Sequence, residues 1–73
     1  MNPDLSMTRQ AAAICTPAQF AAILVQLGEA RRMRVFIDYS LPTGYLYFIR
    51  SGEYNGETHS IYGGIDPDGG IST

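Results

Sequence analysis

The sequence predicts a small α+β domain in which one main helix packs on an antiparallel sheet of three or four strands. Beginning at residue 17, apolar residues recur with the period of an α-helix. From Met33 onward, β-branched and aromatic segments alternate with turn sequences, which is typical of hairpin-linked strands. The chain has 73 residues, of which 45% are hydrophobic, so we expect residues 1–73 to form a single domain.

The start of the main helix is encoded by several local signals together. Thr16 can cap the helix, Pro17 occupies the first helical position and Gln19 completes a capping box. Cys15 and Phe20 flank this motif at the spacing of a hydrophobic staple. The first turn is therefore expected at residue 17.

The body of this helix carries an apolar stripe, whereas its end is less clearly marked. Gly28 suits the position just after a helix, but Arg31 and Arg32 would favour an end one turn later, because cations suit a helix C-terminus. We therefore predict a helix over about 17–31. The stripe predicted to face the core consists of Phe20, Ile23, Leu24 and Leu27.

The segment 1–14 leaves two alternatives open. Asn2-Pro3-Asp4 can start a short helix that runs through the alanines at 11–13. The other alternative is a loosely ordered or extended arm.

Strands are expected at about 33–39, 45–53 and 58–63, with a fourth if 70–73 pairs with the sheet. The first turn, 41–44, contains Pro and Gly, and a four-residue loop there would pair Ser40 with Tyr45. Asn55-Gly56 is the preferred type I′ hairpin turn and would pair Tyr54 with Glu57. Asp66-Pro67-Asp68-Gly69 can fold the last residues back on the third strand.

This register sorts the strand side chains into two sets, both of them apolar or aromatic. A register slipped by one residue at the first turn would mix the sets. One face collects Val35, Ile37, Leu46, Phe48 and Ile61, and the other collects Arg34, Phe36, Tyr45, Tyr47, Ile49 and Tyr62.

A single helix can cover only one of these faces. The other is either covered by the N-terminal arm or a loop, or buried against a second copy of the chain or a different protein. The predicted partner-binding residues are Phe36, Tyr45, Tyr47, Ile49 and Tyr62, with polar contacts from Arg32, Arg34, Arg50, Glu53 and Glu57.

Composition argues against several other functions. The net charge is −2, so nucleic-acid binding is not expected, and one cysteine excludes an internal disulfide. His59 has Glu57 nearby but no nucleophile or pocket, and the pair Asp66 and Asp68 lacks the further ligands of a calcium loop. We expect no catalysis, metal or cofactor. Residues 1–4 lack a basic signal-peptide start and no apolar run is long enough for a membrane span, so we expect a cytoplasmic protein.

The ending Tyr62-Gly-Gly-Ile-Asp-Pro-Asp-Gly-Gly-Ile-Ser-Thr73, with Tyr45-Leu-Tyr47 ahead of it, resembles the tails of short uncharacterised phage and prophage proteins. The resemblance covers the last third of the chain and carries over no functional residue. It implies a small accessory binder, since some such proteins inhibit bacterial defences such as CRISPR complexes. The predicted function is a non-enzymatic protein-interaction module, for example an anti-CRISPR inhibitor, and the alternative is an oligomeric nucleotide binder or sponge.

Overall fold

The computed structural model describes residues 3–73 and has an α+β fold, as predicted, in which a five-stranded sheet lies beside two helices. The strands lie in the sheet in the order in which they occur along the chain. The elements are β1 (Asp4–Met7), α1 (Arg9–Ile14), α2 (Pro17–Gly28), β2 (Arg32–Ile37), β3 (Leu46–Tyr54), β4 (Glu57–Ile65) and β5 (Ile71–Ser72).

The sheet is mixed, which corrects the expectation of a purely antiparallel one with three or four strands. β1 pairs with β2 in parallel, and the other neighbouring strands are antiparallel. Parallel neighbours require a long crossover connection, and residues 8–31 provide it. Both helices lie in this crossover.

The N-terminal segment is neither of the two predicted alternatives alone. Asp4 begins β1 instead of a helix, and the short helix starts later, at Arg9. Thr8 caps that helix, since its Oγ1 accepts the Ala11 N–H at 3.2 Å. Residues 1 and 2, where the predicted segment begins, lie outside the described residues.

The start of α2 is confirmed and its predicted end is wrong. Thr16 Oγ1 accepts the Gln19 N–H at 3.0 Å, while Gln19 Oε1 accepts the Thr16 N–H at 2.9 Å, which completes the capping box. The helix ends at Gly28. It does not continue to residue 31 because the Arg31 and Arg32 N–H groups donate to Ser51 Oγ of β3. These bonds place residues 31 and 32 beside β3 instead of in the helix.

The side of α2 that faces the core also differs from the predicted stripe. Ile23 is fully buried and Leu27 packs against the core, as expected. Phe20 and Leu24, however, are each 48% exposed. The fully buried residue of the first turn is instead Gln19.

Gln19 accounts for this rotation of the helix. Besides its capping bond, its Nε2 donates to Gly44 O at 2.6 Å and to Ile65 O at 3.1 Å. These bonds tie α2 to the loop before β3 and to the end of β4. A buried amide with all its bonds made is stable, and it turns Phe20 outward.

The two hairpins test the predicted register. Asn55 and Gly56 have φ angles of 52° and 78° and join Tyr54 to Glu57, which confirms the type I′ turn. The first loop is longer than predicted, since β2 ends at Ile37 and β3 begins at Leu46.

The longer loop shifts the β2–β3 pairing by two positions without exchanging the faces. Phe36 pairs with Tyr47, whereas the predicted register would place it opposite Ile49. Because side chains alternate with a period of two, a shift of two leaves every residue on its predicted side.

The core lies between the helices and one face of the sheet. Leu5, Met7 and Ile14 pack against it from the N-terminal segment. The fully or nearly fully buried apolar residues are Ala11, Ile23, Met33, Val35, Leu46, Phe48 and Ile65.

Candidate functional site

The face of the sheet opposite the helices carries a continuous aromatic cluster. Phe36 and Tyr47 meet edge to face, with ring centroids 4.7 Å apart. Tyr47 and Tyr62 lie nearly parallel, with centroids 6.0 Å apart and an angle of 22° between the rings. Ile49 lies between Arg34 and Tyr62 in the register. We call Phe36, Tyr47, Ile49 and Tyr62 the aromatic face.

Within residues 3–73, the N-terminal arm does not fold over the aromatic face, contrary to one of the alternatives left open by the sequence. The arm is used elsewhere, because β1 lies at the edge of the sheet and Ala11 of α1 is buried in the core. Two residues of the loop 38–45, Tyr39 and Gly44, bond to the helices on the other side of the sheet. The Tyr39 hydroxyl donates to Gln10 Oε1 at 2.6 Å and Gly44 O accepts from Gln19.

The aromatic side chains contact one another along this face. Phe36, Tyr47 and Ile49 are partly buried, while Tyr62 is 52% exposed. Desolvation, followed by electrostatic interaction with the neighbouring Tyr62 and Asp38, raises the pKa of the Tyr47 phenol. The phenol thus stays protonated at neutral pH and can donate a hydrogen bond to a bound partner.

Polar residues border the aromatic face at both ends of β2. Arg34 is exposed and pairs in register with Ile49. Next to it, Arg32 Nε lies 3.9 Å from Asp4 Oδ2. Asp38 follows the other end of β2, two positions after Phe36, and its negative charge, after desolvation and Tyr62, contributes to the raised pKa of the Tyr47 phenol. An apolar centre with a polar rim is typical of protein interfaces.

Three of the remaining predicted site residues lie apart from this cluster. Tyr45 precedes β3 and is held in a turn, where its N–H donates to Pro42 O at 3.4 Å. Glu53 and Glu57 lie on the part of the β3–β4 hairpin that extends beyond β2. They are exposed, and the structure does not bring them to the aromatic residues.

Arg50, a predicted polar contact, is used inside the domain. It projects to the helix side, where its guanidinium lies 3.5 Å from the Glu29 carboxylate and donates to Glu29 O at 3.4 Å. Only 14% of its side chain is exposed, and its buried Nε has no hydrogen-bond partner among the described residues. A cation just beyond α2 also suits the negative end of the helix dipole.

A second apolar surface, which sequence reasoning missed, is formed by the outer side of α2. Phe20 and Leu24 are each 48% exposed and Val25 is 64% exposed. No charged residue lies between Pro17 and Gly28. A helix without any charged side usually has both sides buried, and this was the signal in the sequence. We call Phe20, Leu24 and Val25, with the exposed Ala18 and Ala21, the α2 outer face.

The histidine and the carboxylates considered for catalysis or metal binding do not come together in a site. His59 Nε2 lies 3.7 Å from Glu57 Oε2, and its ring meets Tyr54 edge to face, on an exposed part of the hairpin. A cleft of about 470 Å³ is lined by residues 28–31, 51–53 and 58, so it includes neither His59 nor the aromatic face. Within residues 3–73, no three His, Cys, Asp or Glu side chains are placed to hold a metal ion.

The described helices are also too short or too polar to cross a membrane. The nucleotide-binding alternative, which places the ligand in an oligomer interface, stays a prediction.

Fold and surface together define a small two-layer α+β protein with apolar area on both outer sides. No family model, curated protein or solved structure matches the chain. The resemblance of its last third to phage proteins therefore stays a prediction.

Proposed function

We propose that this chain is a non-enzymatic protein-interaction module that docks its aromatic face on another polypeptide. The observation that carries the proposal is the uncovered cluster of Phe36, Tyr47, Ile49 and Tyr62 across three neighbouring strands. One-sided antiparallel sheets normally expose polar side chains to water. Here the exposed side is apolar at its centre.

The chemistry of these residues suits protein recognition. Tyrosine and phenylalanine are enriched at interface centres because they bury a large area at a small cost in side-chain entropy. The rings are already ordered by their contacts with one another, so a partner would meet a preformed surface. Inhibition of a bacterial defence system is the process that the resemblance to phage proteins implies, and it stays a prediction.

The α2 outer face supports the same class of function. Phe20, Leu24 and Val25 leave about half or more of their side chains exposed, whereas Ile23 on the opposite side of the helix is fully buried. Phe20 and Leu24 are one turn apart and form a ridge that fits an uncharged apolar groove. A module with two such surfaces can hold two polypeptides at once.

Matched tyrosine variants test the aromatic face. Tyr62→Ser removes an aromatic ring from the face, whereas Tyr54→Ser removes one from the hairpin tip, where Tyr54 is 70% exposed. Tagged wild type and variants would be purified from the native host and examined by native mass spectrometry, and their unfolding free energies compared. We expect Tyr62→Ser to lose a stoichiometric bound polypeptide that Tyr54→Ser retains.

The stability measurement separates an interface role from a structural one. If Tyr62 acts at an interface, Tyr62→Ser should change the unfolding free energy of the isolated chain by less than about 1 kcal/mol. A large loss of stability with unchanged association would refute the proposal. So would a wild-type chain that carries no other polypeptide and does not self-associate.

A further inference from the structure

The aromatic face carries opposite charges at its two ends, in an order that is self-complementary. Arg34 and Phe36 lie on the same side of β2, and Asp38 follows two positions after Phe36, one residue past the end of the strand, where continued alternation places it on that side. At roughly 3.3 Å per residue, the two charged positions are about 13 Å apart, with the phenylalanine midway. Within residues 3–73, neither Arg34 nor Asp38 forms an ion pair.

Asp38 is held ready to act as the negative end. The Ser40 N–H donates to its Oδ1 at 2.9 Å, and the Ser40 hydroxyl donates to the same atom. These bonds lower the pKa of the Asp38 carboxyl, so it is ionised at neutral pH. Arg34 supplies the positive end, with a planar guanidinium whose N–H groups fit a carboxylate.

A two-fold axis turns this order into a match between two copies. We place the axis above Phe36, midway between the two sheets. It runs parallel to the plane of the sheets and perpendicular to β2. Rotation about it reverses the strand and lays the second sheet on the first, face to face, at the usual spacing of about 10 Å. The positive end of each face then lies against the negative end of the other.

We propose that two copies of this chain associate through their aromatic faces, with Arg34 of each copy against Asp38 of the other. The inference rests on the proposed function, since it names the partner of the same surface. Phe36 and Tyr47 lie near the axis and meet their own symmetry mates, as an isologous interface requires.

Apolar contacts and ion pairs contribute differently to this dimer. Burial of the aromatic rings supplies most of the affinity. Exposed ion pairs add little energy each, but they exclude wrong orientations, since like charges placed together are costly. The α2 outer face carries no comparable pattern, because it has no charged residue that would orient a second copy.

Charge reversal gives a direct test with the purified chain. Arg34→Asp places two acidic pairs in the interface and Asp38→Arg places two basic pairs, so each variant alone should dimerise at least about tenfold more weakly. When the two variants are mixed in equal amounts, the dimer that contains one chain of each has two acid-base pairs. The affinity of this mixed dimer should return to within about threefold of that of the wild-type dimer. The readout is mass by sedimentation, against the 8.0 kDa of one chain.

Two variants control for charge and for local structure. Arg31→Asp makes the same charge change at an exposed arginine off the aromatic face. Asp68→Arg removes a carboxylate with the same local role, since Asp68 Oδ1 accepts the Gly70 N–H at 3.1 Å just as Asp38 accepts that of Ser40. Both should dimerise like wild type. Circular dichroism shows whether each variant is folded. If Asp38→Arg does not fold, Tyr62→Ser is the second variant that should weaken the dimer.

The results against the dimer differ from those against the proposed function. A wild-type mass of one chain up to millimolar concentration overturns the self-association, as does a mixture of the two reversal variants that stays monomeric while both are folded. If a different polypeptide still co-purifies and is lost in Tyr62→Ser, the proposed interaction module stands with that polypeptide as its partner.

Discussion

Replacing Gln19 with leucine should remove the main polar connection between the helix and the sheet. The fully buried amide makes three hydrogen bonds, to Thr16 N, Gly44 O and Ile65 O. At about 1 kcal/mol for each bond, the expected loss of unfolding free energy is about 3 kcal/mol. Total stability for a chain of this length is only about 4–11 kcal/mol, at roughly 0.05–0.15 kcal/mol per residue.

Thermal and urea unfolding, followed by circular dichroism, measure this loss. A destabilisation of about 3 kcal/mol corresponds to a fall in Tm of roughly 15 °C for a domain of this size. Gln26→Leu is the matched control, because Gln26 is a half-buried glutamine of the same helix whose side chain makes no hydrogen bond within residues 3–73. It should shift stability by less than about 0.5 kcal/mol.

Gln19→Glu tests whether the side chain must donate the hydrogen bonds to Gly44 O and Ile65 O. A carboxylate can still accept the Thr16 N–H, but it would face the oxygens of Gly44 and Ile65, which raises the pKa of the new carboxyl in the folded state. Stability should then be highest at acid pH and fall as pH rises from about 4.3, the unfolded value, through the folded pKa. Equal loss in Gln19→Leu and Gln26→Leu, or a Gln19→Glu variant whose stability relative to wild type is independent of pH, would refute the reasoning.

Three further predictions follow from close contacts and exposure. Gly63→Ala should cost about 1–3 kcal/mol in urea unfolding, because its Cβ would lie 2.6 Å from the Phe48 ring. Gly28→Ala, whose Cβ meets nothing within 4 Å, should be neutral or stabilising by up to about 1 kcal/mol, and equal losses in the two variants would contradict the packing argument. Burial raises the pKa of the Cys15 thiol, so alkylation near pH 8 should be slower than in urea, and equal rates would contradict this. Leu24→Ser should cost no more than about 1.5 kcal/mol in unfolding free energy, since Leu24 is 48% exposed, and a loss as large as that of a core residue would show that it is buried in solution.

The parts of the fold that could be predicted depend on residues close together in the chain. The capping box joins Thr16 and Gln19, three positions apart. The type I′ turn needs positive φ at two adjacent residues, and Asn55-Gly56 adopts it readily. The two sets of strand side chains were also predictable, because a shift of two positions in β2–β3 pairing leaves each residue on its side.

Tertiary contacts decided the rest. α2 ends at Gly28 because Ser51, some twenty positions away, binds the following N–H groups. The core side of α2 is set by the bond from Gln19 to Ile65, 46 positions apart. The helical period cannot indicate that a glutamine will be buried in place of Phe20.

The candidate site divides in the same way. The aromatic residues on one side of the sheet follow from strand alternation, which is a property of the sequence alone. Whether they are covered depends on where the N-terminal segment goes, and β1 pairs with β2 through long-range hydrogen bonds that leave the aromatic face open. The sequence determined which side chains share a surface, and only the tertiary structure decided which of those surfaces face water, because burial depends on packing between distant segments.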